Sequence, residues 1–281
     1  MQAAQRNPPF VQMVGSASLH PPYVLILKRT VMAEKQPIIQ VKNFVAQYGD
    51  ARIIDNISFD VYKGEVFVIL GGSGCGKSTL LRHLIGLNKP FSGKVFIDGN
   101  DIGSCDDEMF HHTLRKIGVL FQSGALIGSM TLGENVTLPL AEYSGLPKSA
   151  IANLVRMKLG MVGLGDYVHH LPAEISGGMK KRAGLARALA LNPKILFLDE
   201  PSAGLDPVTS AEIDELILKI NKAVGTTMVI VTHELASIFT VAQRVIMLDK
   251  STKGIIAEGD PRHLKENSEN AFVRQFFNRR G

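Results

Sequence analysis

The run Gly71-Gly72-Ser73-Gly74-Cys75-Gly76-Lys77-Ser78-Thr79 arrives directly after the apolar segment Val66-Phe67-Val68-Ile69-Leu70. Read in order, this is a buried strand, a phosphate-cradling loop and a helix. Glycines let consecutive backbone N–H groups converge on phosphate oxygens, and the following helix presents its positive end to the same anion. Lys77 is placed to reach the β- and γ-phosphates, and the Ser78 hydroxyl to ligate Mg²⁺. The implied ligand is ATP or a similar triphosphate with magnesium. The spacing G-x-x-x-x-G-K-[ST] arises by chance in roughly one chain in a hundred of this length, before a flanking strand and helix are required.

With 281 residues, 45% of them apolar, the chain can bury a full core, and its length suggests about two structural units. Two cysteines, Cys75 and Cys105, cannot build a disulfide framework, and a nucleotide site then points to a reducing, cytosolic compartment. The net charge of +5 and pI near 9.1 would suit nucleic acid or an anionic membrane surface. The basic residues are scattered, however, with no aromatic-interleaved stripe, so charge alone does not choose a partner; it is with the motifs below that no nucleic-acid partner is expected. No apolar run approaches the ~20 residues needed to span a bilayer, so work at a membrane must go through another chain.

Residues 1–36 carry Pro8-Pro9, Gly15-Ser16-Ala17-Ser18 and Pro21-Pro22 without a helical or alternating period, and are expected to form an unstructured extension. Regular patterning starts soon after Met32, which makes Met32 a candidate start of the native protein. Over residues 38–48 and 57–61 apolar positions alternate, predicting an antiparallel sheet that turns at Lys63-Gly64 into the strand before the loop. Residues 94–97 with Asp98-Gly99-Asn100 read as strand and hairpin turn, and residues 117–121 as a short buried strand. From about 123 to 178 helical periods replace strand signals, with breaks at Leu146-Pro147 and Leu171-Pro172, as in an inserted helical subdomain. A helix over 180–191, a strand over 195–198, a helix from Pro207 and strands over 227–231, 244–248 and 254–258 then specify an α/β core with a mainly parallel sheet.

A second constellation defines the chemistry. Ile195-Leu196-Phe197-Leu198-Asp199-Glu200 is a buried strand ending in two acids, at the edge where open α/β sheets bind ligands. Asp199 suits Mg²⁺, directly or through water, and Glu200 suits polarisation of an attacking water. Ser176-Gly177-Gly178 opens another helix with the residues of an anion-binding start. One nucleotide does not need both helix starts from one subunit. A head-to-tail homodimer, with each ATP between one copy's Lys77 loop and the other's Ser176 helix, is the economical arrangement.

In order and spacing over residues 38–261 these motifs resemble those of the ATPase subunit of ATP-binding cassette (ABC) transporters. The resemblance implies a P-loop NTPase core with a mixed, mainly parallel sheet, an antiparallel β subdomain and an inserted α-helical subdomain. It implies an ABC ATPase domain over 37–262 and a C-terminal helical tail over 263–281. Gln122 resembles the Q-loop glutamine that senses Mg²⁺ and the attacking water, and Ser176, Gly177 and Gly178 resemble the signature motif. Ser202-Ala203-Gly204-Leu205-Asp206 resembles the D-loop that crosses the dimer interface, with Asp206 also a good helix N-cap. His233 resembles the switch histidine that contacts the γ-phosphate, and Tyr48 stands where the family has its adenine-stacking aromatic. Cys75, among phosphate-facing amides, is expected to carry a lowered thiol pKa and to react with thiol reagents unless ATP protects it.

The segment Phe121-Gln122-Ser123-Gly124-Ala125-Leu126, with Ser129-Met130-Thr131, Glu134-Asn135-Val136 and Met179 where most cassettes have glutamine, further resembles ATPases of the Mla/Mce type, which drive phospholipid or other lipid movement between bacterial membranes. That resemblance implies membrane permease subunits, a Mce-type substrate-binding protein and a peripheral place on the cytoplasmic face of the inner membrane. Leu126, Ile127, Met130 and Leu132 would then offer the permease an apolar surface. The tail from Phe272 to Arg280 sets aromatics on one helical face, as if to dock on its own or the partner's body. A cassette for a polar amino acid or an organic solvent, and a soluble non-transport ABC ATPase, stay open as alternatives.

Overall fold

The computed structural model describes residues 36–278. The extension expected over residues 1–36, with the candidate start at Met32, lies outside the described residues except for Gln36.

β1 (Pro37–Tyr48) and β2 (Ala51–Tyr62) pair antiparallel, with Val41 opposite Phe59. β3 (Val66–Gly71) then leads through the glycine loop into α1 (Lys77–Leu84), after which β4 (Ser92–Ile97) and β5 (Asn100–Asp101) complete a four-stranded sheet in the order β2-β1-β4-β5. The alternation over 57–61 marks only the second half of β2. Asn43 and Asn56 take positive φ (48° and 49°), and register shifts on either side of Phe44 interrupt the ladder. Such bulges break the period of two, and the first half of β2 is therefore not visible as alternation.

α2 (Asp107–Leu114), started by an Asp106 side chain that accepts from Met109 N–H at 2.8 Å, precedes β6 (Ile117–Leu120). α3 (Leu132–Tyr143) and α4 (Lys148–Met161) form the helical insertion, and α5 (Gly177–Ala188) leads back to the sheet. The alternation of β7 (Ile195–Asp199), α6 (Pro207–Val224), β8 (Thr227–Val231), α7 (Leu235–Val241), β9 (Arg244–Leu248) and β10 (Ile255–Gly259) follows. The second sheet has six strands in the order β10-β9-β3-β8-β7-β6, parallel throughout except for the β9–β10 pair.

Alternate residues of β3 enter different cores. Val66, Val68 and Leu70 pack with α3 to α6, whereas Phe67 and Ile69 pack with α1 and the antiparallel sheet. β7 divides in the same way, Leu196 and Leu198 against Ile195 and Phe197. Strands covered on both faces read as unbroken apolar runs, which is why they stand out in the sequence. β6, by contrast, is the edge strand and only half buried, and it ends at Leu120, leaving Phe121 exposed rather than in the strand.

In register, Ile69 lies beside Val231 and Leu198 beside Ile230. The carboxyl ends of β3, β7 and β8 therefore form one rim, where the sheet presents ligands. Three expectations need correction. α5 begins at Gly177, not residue 180, because Ser176 is its N-cap. Leu132, the first residue of α3, is fully buried and cannot face a permease, while Ile127 remains 42% exposed. The tail is two short helices, α8 (Pro261–Asn267) and α9 (Ala271–Phe277), and α8 runs across the boundary drawn at 262. Val273, Phe276 and Phe277 of α9 are buried in the chain's own core, with the Phe277 ring 5.7 Å from that of Phe239.

Candidate functional site

A cavity of about 890 Å³ opens at this rim. Gly71 to Gly74, Lys77 and Ser78 line one side, and Gln122, Asp199, Glu200 and His233 line the other. The loop leaves β3 at Gly71 with φ +149°, and a Cβ there would stand 2.3 Å from the Leu248 carbonyl oxygen. Only glycine fits that turn. Lys77 donates to the carbonyls of Gly71 (2.9 Å) and Gly72 (3.0 Å), so its ammonium is held over the loop through which phosphates would be met.

Asp199 ends β7, and Glu200 follows at φ +47°, in the left-handed region. That conformation is uncommon for a residue with a side chain and turns Glu200 out of the strand direction into the cavity. Its N–H donates to Val231 O at 2.8 Å, and its Oε1 meets His233 Nδ1 at 2.7 Å. Its Oε2 is buried without a hydrogen-bond partner among the described residues. A carboxylate with one oxygen held and the other buried and free is arranged to accept from a water aimed elsewhere. Burial and the neighbouring Glu200 charge push the Asp199 carboxyl up, against Lys181, Arg82 and Lys77, which favour its anion. Gln122 stands on the loop after β6, which Arg187 pins by donating to Gly124 O (2.9 Å) and Ala125 O (2.7 Å).

Ser176, Gly177, Gly178 and Asp206 are not in the wall of this cavity. Ser176 is exposed at the start of α5, its Oγ accepting from Met179 N–H at 3.3 Å. A Cβ on Gly178 would lie 2.6 Å from Thr209 Cγ2, so glycine lets the starts of α5 and α6 approach. Asp206 caps α6, accepting from the N–H groups of Val208 and Thr209 at 3.0 Å each and from the Thr209 hydroxyl at 2.5 Å. These bonds, the Thr209 hydroxyl first, hold its carboxyl below the usual range. One chain thus has a phosphate-loop half-site inside the cavity and a capped, exposed helix start outside it.

The ABC transporter family matches residues 54–203. A relative in Mycobacterium leprae, "Probable ribonucleotide transport ATP-binding protein mkl", is 45% identical over 242 residues, 86% of this chain and 69% of its own length. The chain belongs to the ABC transporter family. As an ABC ATPase it is also similar to the "Methionine import ATP-binding protein MetN" of Brucella abortus, 41% identical over 82% of this chain and 61% of that one. Among solved structures it resembles the ATP-binding cassette MJ0796, a post-hydrolysis dimer bound to ADP and Pi, with a TM-score of 0.71 and 33% identity over 79% of this chain and 98% of that chain. It likewise resembles cbiO1 from Clostridium perfringens, part of the ABC transporter complex cbiONQ (TM-score 0.75, 30% identity, 83% of this chain and 92% of that chain).

One sequence expectation for the ABC ATPase changes at this point. The Cys75 side chain is buried with the core residues around α1, and burial pushes its thiol pKa up in spite of Lys77. Only its backbone belongs to the loop, and a reactive thiolate is not present. Tyr48, Gly76 and Thr79 are outside the cavity wall; Tyr48 is half-exposed at the end of β1, its hydroxyl accepting from Asn88 Nδ2 at 2.8 Å. The wall also holds Leu235, Ala236, Phe272 and Phe276, which motif reading missed. The aromatic face of α9 was legible, but its position beside the loop depends on the tertiary path of the tail. Lys181 was missed too. Within Lys180-Lys181-Arg182 nothing in the sequence tells which cation points inward, and Lys181 is buried with its Nζ donating to Glu200 O at 2.9 Å.

Proposed function

We propose that two copies of this chain close head to tail on two ATP molecules, hydrolyse them, and so power lipid transport through separate permease subunits on the cytoplasmic face of a bacterial inner membrane. The observation that carries the reading is the split of one chain into two half-sites. Lys77, Asp199, Glu200 and His233 share a cavity, while Ser176 caps an exposed helix start elsewhere. Each copy then supplies what the other's nucleotide lacks.

Ser78, Gln122 and Asp199 bring hydroxyl, amide and carboxylate oxygens to the cavity, a donor set that fits Mg²⁺. These three would hold the ion, which supplies charge neutralisation at the phosphates. Lys77, released from Gly71 O and Gly72 O, takes the β- and γ-phosphates. Glu200 orients water through the oxygen that His233 does not occupy, and His233 is near enough to meet the γ-phosphate once the two part. ATP drives closure only through tighter binding to the closed dimer than ADP achieves, and the permease inherits that bias.

The lipid part, and with it a Mce-type substrate-binding partner, rests on the Phe121 to Leu126 segment and on Met179. Ile127, exposed beside that segment, with Leu126 and Met130 partly buried, suits an apolar permease contact. A second reading, a polar-solute transporter, draws on the MetN and mkl relatives. Among the described residues no helix is long and apolar enough to cross a membrane, so cargo is met by other chains in either case.

Glu200→Gln is expected to keep ATP binding, lose turnover and accumulate as an ATP-bound dimer in size-exclusion chromatography; normal turnover would remove Glu200 from its role. Mass spectrometry of the complex purified from membranes should find phospholipid. Methionine or a nucleotide cargo instead would overturn the lipid reading and leave the ATPase standing.

A further inference from the structure

We infer that Lys181 is a positioning residue for Glu200, holding the backbone of the general base from the helix whose start serves the partner's nucleotide. The inference rests on the dimer reading above and adds to it a residue that none of the recognised motifs assigns.

Lys181 is 6% exposed, and a lysine is rarely buried to that degree without a specific partner. Its hydrogen bond goes to the carbonyl of Glu200, and the charges that stabilise its ammonium against burial are those of Glu200 and Asp199. A buried cation beside two acids would ordinarily bridge a carboxylate. Here the carboxylate oxygens are left for His233 and for a water, and the cation takes the main chain.

The main chain at that point needs holding. Glu200 lies at φ +47°, and residues in sparsely populated conformations persist only where their surroundings over-determine them. Three bonds do so: the Glu200 N–H to Val231 O on β8, and the Glu200 carbonyl accepting from both Lys181 Nζ and, at 3.2 Å, Ala203 N–H. Lys181 alone of these partners bonds through a side chain, and it alone comes from a helix. It lies five positions after Ser176 on α5. One rigid helix therefore bears the group that seats the partner's ATP and the group that fixes the base for its own.

The test compares wild type with the full-length variants Lys181→Met and Lys181→Arg, using Glu200→Gln as the inactive control. With Met, kcat should fall about tenfold or more, since small displacements of a catalytic group cost up to ~10²-fold, while KM and the affinity for a fluorescent ATP analogue stay within about twofold. Arg, which restores a charged donor, should recover most of the rate at equal thermal stability. Unchanged kcat in the Met variant, loss of analogue binding in parallel with kcat, or an Arg variant no faster than Met would each overturn the inference. Should the Met variant not fold, Lys181→Gln takes its place under the same criteria. A wild-type chain that never hydrolyses ATP would instead remove the proposed function, so the two failures are distinguishable.

Discussion

Asp214 lies on α6, 4% exposed, with one carboxylate oxygen bonded to the Ser237 hydroxyl and the other buried without a partner. Ser237 in turn stands 3.3 Å from the Ser202 hydroxyl, so the group joins α6 and α7 to the loop after Glu200. Burial raises the folded-state pKa of Asp214 above its unfolded value of about 3.9. A raised carboxyl pKa contributes stability below the unfolded pKa, where both states are protonated or the folded state binds its proton more tightly. That contribution is lost as pH rises through the folded pKa, and ionised Asp214 is then a liability. Asp214→Asn is therefore expected to raise the melting temperature at neutral pH and to lose that advantage on acidification to about pH 4. Calorimetry at both pH values checks it, and a variant less stable than wild type at neutral pH would contradict the account.

At the scale of elements, α9 carries the clearest energetic prediction. Phe277 is fully enclosed against Phe239 and Phe276. Phe277→Ala should cost about 3–5 kcal/mol, the usual loss for truncating a buried phenylalanine, read as a lower urea midpoint. A change below about 1 kcal/mol would mean that the helix is not part of the cooperative unit. The elements differ in how openly the sequence announces them. β3, β7, β8 and β9 are covered on both faces and spell uninterrupted apolar runs, and the loop after β3 carries its own spacing. The first half of β2 is hidden by its bulge, while α2 and α7, eight and seven residues long, are too short to establish a helical period. In the site, Lys77, Asp199, Glu200 and His233 were legible because ordered motifs fix them. The inward turn of Lys181 and the burial of the Cys75 thiol were not, since both depend on which side of a neighbouring helix a side chain meets.

For the molecule as a whole, the half-sites predict a complementation. Lys77→Ala removes the loop lysine from both nucleotides of a homodimer, and Ser176→Arg blocks both helix starts, so each variant alone should be inactive. Mixed, they form a heterodimer in which one nucleotide meets an unaltered Lys77 and an unaltered Ser176 while the other meets neither. ATPase activity should therefore reappear on mixing, measured as phosphate release against the unmixed proteins; silence at every ratio would exclude a composite site. The exposed position of Ser176, outside the cavity of its own chain, also bears on inheritance. A cell making one defective and one normal copy would still assemble pairs that keep one unaltered nucleotide site, so the damage would be largely masked rather than genetically dominant.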